Sequence, residues 1–506
     1  MKRILVLSAI TALLLIAAIL VAGCILGTQP PKPEDMGYVL YLKGEKEFLT
    51  DNYHTAFRLF TLAQENFTAY GNSAGTLMAR DKASIARMMF LEYPYNRSHV
   101  EAIIAEKFPD IPAGRRASFL PCNQSQCIES DGELWYLDKT YMNILYHNPD
   151  LMQKSTAARG ETPFYDQLVP YALAPAVTGT GPYVNPITWE GTEELSIPAD
   201  RLPKAGIFRV WVPLPIETDS QRDVTIISVE PAKYVKSRTG TGSDFGLAYL
   251  EIPLESVTGS YLNVTAKFRF TSYEQRFVID PAKIGIYNVS DPEYRKYTAP
   301  SRNVVLSPEL KQKAREVVGN ETNPYRKAQK IYWHVISLPY SSISYARLLA
   351  SGSGQPITEY VRVNGYGDCG AQSAYFAALC RAEGIPARAI GGRQMVPGYG
   401  GSHFWSEYYL PGYGWIPNDV TVAEGAEWSY NATDANRLRY KTYYSENLDP
   451  YRFIIQKDVD MPIVPDPGDG TMTDMTLQEA KAMCDTCPVD TKFWLPEYWK
   501  ATIEQI

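Results

Sequence analysis

Between Gly365 and Asp419 the sequence writes a helix and three strands in an order that leaves few alternatives. Gly365-Tyr366-Gly367-Asp368 is a turn, and Ala371, Ala374, Ala377, Ala378 and Leu379 predict a helix that starts at Cys369 and stops at Gly384-Ile385-Pro386. Ala387-Arg388-Ala389-Ile390 reads as a strand, and a glycine-rich loop through Gly398, Gly400 and Gly401 leads into the alternating run Ser402 to Tyr409. Pro411-Gly412-Tyr413-Gly414 is a hairpin turn, so Trp415-Ile416-Pro417-Asn418-Asp419 returns alongside.

This order brings chemistry together. Cys369 sits at a helix start, where free backbone N–H groups and the positive dipole end favour a thiolate. His403 and Asp419 fall on neighbouring antiparallel strands, and register decides whether they meet. A four-residue loop sets 403 opposite 422 and turns Asp419 to the other face, whereas three or five residues set 403 opposite 421 and keep Asp419 diagonal on the same face. An odd loop or a bulge is therefore expected. In that geometry His403 takes the proton of Cys369 and Asp419 fixes the ring's tautomer. Cys380 lies roughly 16 Å along the same helix at about 1.5 Å per residue, too far for a disulfide, and reads as a small buried side chain. His334, beside Trp333 on a helix predicted from Pro324 to Ser337, reads as a packing residue.

Gly367-Asp368-Cys369, Ala377-Ala378-Leu379-Cys380-Arg381-Ala382-Glu383-Gly384-Ile385-Pro386-Ala387-Arg388, His403-Phe404-Trp405-Ser406-Glu407 and Gly414-Trp415-Ile416-Pro417-Asn418-Asp419 together resemble the microbial transglutaminase-like superfamily, over roughly residues 320 to 425. The resemblance implies a papain-like fold with Cys369 as nucleophile, His403 as base and Asp419 as orienting acid. By the same analogy the backbone N–H of Cys369 contributes to an oxyanion hole, with Asn364 and Tyr366 as side-chain candidates near the turn. Val420 departs from the family, which commonly has proline before threonine there. The upstream Val212-Pro213-Leu214-Pro215 is similar to segments that often precede such a core.

The rest of the chain sets the compartment. Lys2 and Arg3 precede an apolar run from Ile4 to Leu26, a targeting or anchoring segment that places the bulk outside the cytoplasm. Val21-Ala22-Gly23-Cys24 resembles a lipoprotein processing box with Cys24 as the lipidated residue, while the length of the run keeps an uncleaved membrane helix open. Asn66, Asn96, Asn123, Asn263, Asn288, Asn320 and Asn431 each begin an Asn-x-Ser/Thr triplet, which fits a glycosylated exterior. With Cys24, Cys369 and Cys380 assigned, Cys122 with Cys127 and Cys484 with Cys487 suit short-range disulfides; a four-cysteine zinc site is the sharper alternative and is not adopted.

The predicted organisation is α+β and multidomain: an anchor at 1–27, a tether at 28–37, a helical domain at 38–150, a connector at 151–195, a β-sandwich module at 196–280, the catalytic domain at 300–460 and a tail at 461–506. The helical domain carries Gly44, Phe48, Tyr53, Ala56, Phe60, Ala63 and Phe67 at the spacings of one tetratricopeptide-like hairpin, without a sustained period of about 34 residues. Period-two runs such as Phe208-Arg209-Val210-Trp211-Val212 mark the β-module. Pro462, Pro465 and Pro467 set off the tail, whose Asp466, Asp469 and Asp474 lack the spacing of a calcium loop.

A net charge of -7 without long runs of one sign argues against nucleic acid as a partner. No cofactor or metal is expected. The leading expectation is a membrane-anchored extracellular thiol enzyme acting on a protein or peptide-containing envelope substrate through a thioester on Cys369, with water as the favoured acceptor. A crosslinking transamidase comes second. The alternative from another class is a non-catalytic binding protein whose helical segment recruits protein partners.

Overall fold

Phenylalanines seated in gaps left by small residues hold the first helices together. Helices α1 (Met36–Leu49), α2 (Tyr53–Ala69) and α3 (Ser73–Glu92) pack in sequence order, and the Phe60 ring of α2 lies where a Cβ on Gly44 of α1 would stand, 2.7 Å from that position. The computed structural model describes residues 32–120, 126–130, 132–159, 164–175, 181–240, 242–350, 355–429, 431–467, 475, 477–484 and 498–506. The apolar segment, Cys24, the first four residues of the tether and Asn123 lie outside the described residues, and among those described no helix is long and apolar enough to cross a membrane.

Helix α4 (Arg97–Lys107) follows, and then a feature the sequence reading did not contain: strands β1 (Tyr95–Asn96), β2 (Cys127–Ser130) and β3 (Glu133–Tyr136) form a small antiparallel sheet in the order β1-β3-β2. Helices α5 (Thr140–Tyr146), α6 (Pro149–Arg159) and α7 (Phe164–Ala172) complete this part. The expected connector at 151–195 is corrected here. Its Pro, Gly, Thr and Ala content hid the helical spacing of Tyr165, Leu168 and Ala172, all buried, and its end is already the long strand β4 (Tyr183–Pro198).

Alternation of apolar and polar residues then gives β5 (Ile207–Pro213), β6 (Gln221–Glu230), β7 (Val235–Arg238), β8 (Leu247–Pro253) and β9 (Tyr261–Arg276). Further on, α8 (Pro308–Val318), α9 (Pro324–Val335), α10 (Ile357–Asn364) and α11 (Cys369–Ala382) precede β10 (Ala387–Gln394), β11 (Gly401–Leu410) and β12 (Gly414–Asn418). After α12 (Val420–Trp428) and α13 (Asp434–Tyr443) come β13 (Asn447–Leu448) and β14 (Arg452–Gln456), and last β15 (Lys481–Cys484) and β16 (Trp499–Gln505).

The strands form two large sheets around one apolar cluster and a third sheet beside them. The first runs β13-β9-β4-β16 with β6 also on β9, and the second runs β15-β5-β8-β7. Trp189 and Leu195 of β4, Phe268 of β9 and Trp211 and Leu250 of β5 and β8 share their core. The third, β12-β11-β10-β14, packs on α11. From Gly370 to Arg381 every residue of α11 is buried, which the alanines at its contact positions allow.

The separate tail at 461–506 is a second correction. Its prolines break regular structure only locally, and β15 pairs with the edge of β5 while β16 pairs with the edge of β4 along Trp499 to Gln505. Covering an exposed edge satisfies its free N–H and C=O groups, which is the physical reason the tail returns. Cys127 and Cys484 are disulfide-bonded; Cys122 and Cys487, the partners suggested by spacing, lie outside the described residues.

Candidate active site

Asp368 is the N-cap of α11: its carboxylate accepts from the backbone N–H of Ala371 at 3.0 Å and from the Tyr345 hydroxyl at 2.7 Å. The next residue, Cys369, is half-buried at the helix start, as the turn Gly365 to Asp368 predicts.

The β11–β12 hairpin pairs Leu410 with Gly414 and Ser406 with Asn418, so residues 411–413 form a three-residue loop. This odd register sets Asp419 on the face of His403. The ladder ends there because Asp419 is also the N-cap of α12, its Oδ1 accepting from the backbone N–H of Val422 at 2.9 Å. Its other oxygen, Oδ2, lies 2.8 Å from His403 Nε2. Val420, the departure from the family pattern, is fully buried in the first turn of α12.

Sequence reasoning missed Arg452. From β14 its Nη1 donates to Asp419 Oδ2 at 2.6 Å and its Nη2 to Asp449 at 2.5 Å, and its guanidinium lies 5.3 Å from the centre of the Trp405 ring. Nothing near Asp419 in the sequence announces a residue so far downstream; the only signal is a charged residue opening the apolar strand Phe453-Ile454-Ile455. Gly392 makes room for this layer, since a Cβ there would stand 2.1 Å from the Phe453 carbonyl oxygen.

Electrostatics divide the groups. Burial would raise the carboxyl of Asp419, but His403 and Arg452 outweigh it and hold the group well below the usual carboxylate range. Burial pushes the Cys369 thiol up, and the carboxylate of Asp368 adds to this, while the backbone N–H groups of Phe404 and Gly370 oppose it. The helix start does not by itself yield the thiolate that its dipole suggested; the proton has to be taken by a base.

Cys369 and His403 line a cavity of about 430 Å³. The opposite wall comes from the helical part of the chain, through Met142 and Tyr146 of α5, Met152 and Thr156 of α6 and Tyr165 of α7. That part is docked by directed bonds: Asn143 donates to the Ser342 carbonyl at 3.0 Å and accepts from its N–H at 2.8 Å, Gln126 donates to Ser341 at 3.0 Å, and Arg347 forks onto both oxygens of Asp51 at 3.0 Å. Among the described lining residues there is no Asp, Glu, Lys or Arg.

The oxyanion candidates named from sequence are not among the lining residues. The Asn364 amide donates to the Tyr360 carbonyl of its own helix at 2.9 Å, and the buried Tyr366 hydroxyl accepts from that of Tyr360 at 2.9 Å. Cys380 is buried and free, and His334 lies in loose ring contact with Tyr375, 6.3 Å between centroids. Asn96, Asn263, Asn288, Asn320 and Asn431 are exposed; Asn66 is half-buried and donates to the Pro33 carbonyl at 3.1 Å.

Residues 311–420 are a transglutaminase-like superfamily domain, matched by the family's sequence model, within a fold of mixed helix and several sheets. An uncharacterised protein of Haemophilus influenzae is 31% identical over 164 residues, which is 28% of this chain and 42% of the relative, so the chain spans under half of that protein's length. A protein of Cytophaga hutchinsonii proposed to be a cysteine protease superposes with a TM-score of 0.39 at 16% identity, covering 64% of this chain and 91% of the other. The periplasmic domain of TgpA from Pseudomonas aeruginosa gives a TM-score of 0.24 at 17% identity, covering 50% and 98%.

Proposed function

We propose that the chain is a thiol hydrolase of amide bonds, with Cys369 as nucleophile, His403 as base and Asp419 as the group that orients and supports the imidazole. One observation carries the reading: His403 is held through Nε2 on the ionised Asp419 while it shares a cavity with Cys369, at the start of a buried helix.

With Nε2 engaged, Nδ1 is the nitrogen left to meet the thiol. His403 Nδ1 takes the Cys369 proton as Sγ attacks the amide carbon. The C–N bond breaks, the proton passes to the departing amine, and a thioester remains. Water then adds to the thioester with its proton drawn to His403, and the carboxylic acid leaves as the thiol is restored. Charge on the ring stays paired with Asp419 throughout, which is the stabilisation an orienting acid supplies.

The N-terminal segment with Cys24 as lipid site or as part of a membrane helix, and the exposed Asn-x-Ser/Thr triplets, support a place on the outer face of the cell membrane, with a protein or peptide-containing envelope polymer as substrate. The helical part contributes a wall of the cavity and so takes part in choosing that substrate.

The test is the rate of Cys369 alkylation by iodoacetamide, with Cys380 buried and serving as the internal reference. Cys369 reacts faster than a free thiol, and His403→Ala removes the advantage; equal rates in both proteins sink the enzyme reading. Peptide libraries incubated with and without a primary amine, weighed by mass spectrometry, then report the acceptor: products gaining water support hydrolysis, and products gaining the amine support transfer.

A further inference from the structure

A donor in the cavity wall is without an acceptor. Gln394 closes β10 with 8% of its surface exposed, and its Nε2 is buried with no hydrogen-bond partner among the described residues. The ladders fix where it stands. Gln394 lies opposite Gly401 on β11 and opposite Arg452 on β14, so its side chain rises from the sheet face that carries His403, Trp405 and Arg452. It lines the same cavity as Cys369 and His403.

Two facts about the surroundings narrow what this donor is for. A buried N–H left unpaired costs free energy, and in a polar cavity with room for water it is met by solvent or by a ligand. Among the described residues of the lining the titratable side chains are tyrosines, Cys369 and His403, and the helical part with Trp428 contributes Met142, Tyr146, Met152 and Tyr165. A charged group entering such a space loses its hydration without gaining a counter-charge.

The geometry points to Gln394 as the residue that holds the carbonyl oxygen of an uncharged, apolar acyl donor in the cavity, displacing water from its amide. This inference rests on the thiol-enzyme reading and adds to it the class of substrate and the side chain that binds it. Neighbouring Arg452 is spent on Asp419 and Asp449, which leaves the glutamine as the amide donor on this face.

The experiment measures capture of Cys369 in the full chain by two peptidyl chloromethyl ketones, acetyl-Phe-Ala and acetyl-Asp-Ala, with methyl methanethiosulfonate as a thiol reagent that has no carbonyl. Gln394→Met keeps the length of the side chain and removes its N–H donor without adding charge; Gln394→Leu removes the donor and shortens the side chain. In the wild type the Phe-Ala ketone reacts faster than the Asp-Ala ketone. Both variants slow the Phe-Ala reaction by about tenfold, the worth of one hydrogen bond in a binding step, and leave the methanethiosulfonate rate and the unfolding midpoint near wild type. Wild-type rates of ketone capture in Gln394→Met and Gln394→Leu overturn the inference, as does equal reaction of the two ketones with the wild type. If wild-type Cys369 meets neither ketone faster than free cysteine does, the thiol-enzyme reading itself falls; that outcome is seen in the unmodified protein and is separate from the behaviour of the variants.

Discussion

Arg452 Nη1 lies 2.6 Å from Asp419 Oδ2, the same oxygen that faces His403 Nε2 at 2.8 Å. With Asp449 on its other nitrogen, one guanidinium balances two fully buried carboxylates. Breaking such a buried network from one side is costly because the carboxylates are left without a counter-charge. Arg452→Met is expected to lose roughly 3–5 kcal/mol of stability in urea unfolding. A loss under about 1 kcal/mol, the scale of a surface pair, would contradict this account.

The carboxylate of Asp368 raises the Cys369 thiol while its oxygen caps α11. Asparagine caps as well as aspartate and carries no charge. Asp368→Asn therefore keeps the helix start and lowers the thiol's pKa, so the pH dependence of alkylation moves to lower pH. A curve at the wild-type position or above it would show that the charge is not felt at Sγ.

Asn143 is the pin between the helical part and the transglutaminase-like part, donating to Gln126 at 2.7 Å as well as engaging both backbone groups of Ser342. Asn143→Leu leaves those partners unpaired in a buried setting, at about 1–3 kcal/mol for each group. The wall carrying Met142 and Tyr146 loosens with it. Expected together are a lower unfolding midpoint and faster protection loss in hydrogen exchange at α5 than at α11; uniform exchange across both helices would argue against a local pin.

Glu193, on β4 where β16 docks, is 1% exposed, and neither of its oxygens accepts a well-formed hydrogen bond among the described residues, the Trp499 indole of β16 being a loose neighbour. Burial pushes its carboxyl from 4.5 up to about 8, against the opposing charge of Arg393. Between those values the unfolded chain is ionised and the native protein holds the proton, so the native state loses stability as pH rises. The slope for one such group is roughly 1.4 kcal/mol per pH unit at most, and it levels off above the folded value. Glu193→Gln removes it: denaturation midpoints of variant and wild type are closest near pH 5 and diverge toward pH 8 in favour of the variant. Parallel curves would count against a neutral Glu193.

What was legible in the sequence was local. The helix beginning at Cys369, its stop at Gly384 and the hairpin around Gly412 are written in neighbouring residues, and strand periodicity, once His403 and Asp419 are required to share a face, leaves an odd loop or a bulge, of which the three-residue loop is found. The pairing of Arg452 with Asp419 was not legible, because it depends on β14 lying beside β10, a contact no nearby residue encodes. The same holds for the tail, where the prolines were read as a boundary although β15 and β16 afterwards return to distant edges. The helical part was recognised as helical, yet its place as a cavity wall follows from Asn143 and Gln153 reaching partners in the catalytic domain, which spacing along the chain does not show.

Strand β14 alternates between two interiors. Arg452 and Ile454 face the catalytic layer, and Phe453 and Ile455 enter the core of the two large sheets. Five residues thus act as a common hinge pin for both bodies. A cavity opened around Phe453, against Phe268 and Phe270 where its ring stacks, would be transmitted one peptide unit away to the cation that aims the imidazole. The transglutaminase-like domain is for that reason not a detachable cassette: excised from the two large sheets, it would keep Cys369, His403, Asp419 and β14 itself, but Phe453 and Ile455 would lose their cover and the strand that carries Arg452 its anchorage.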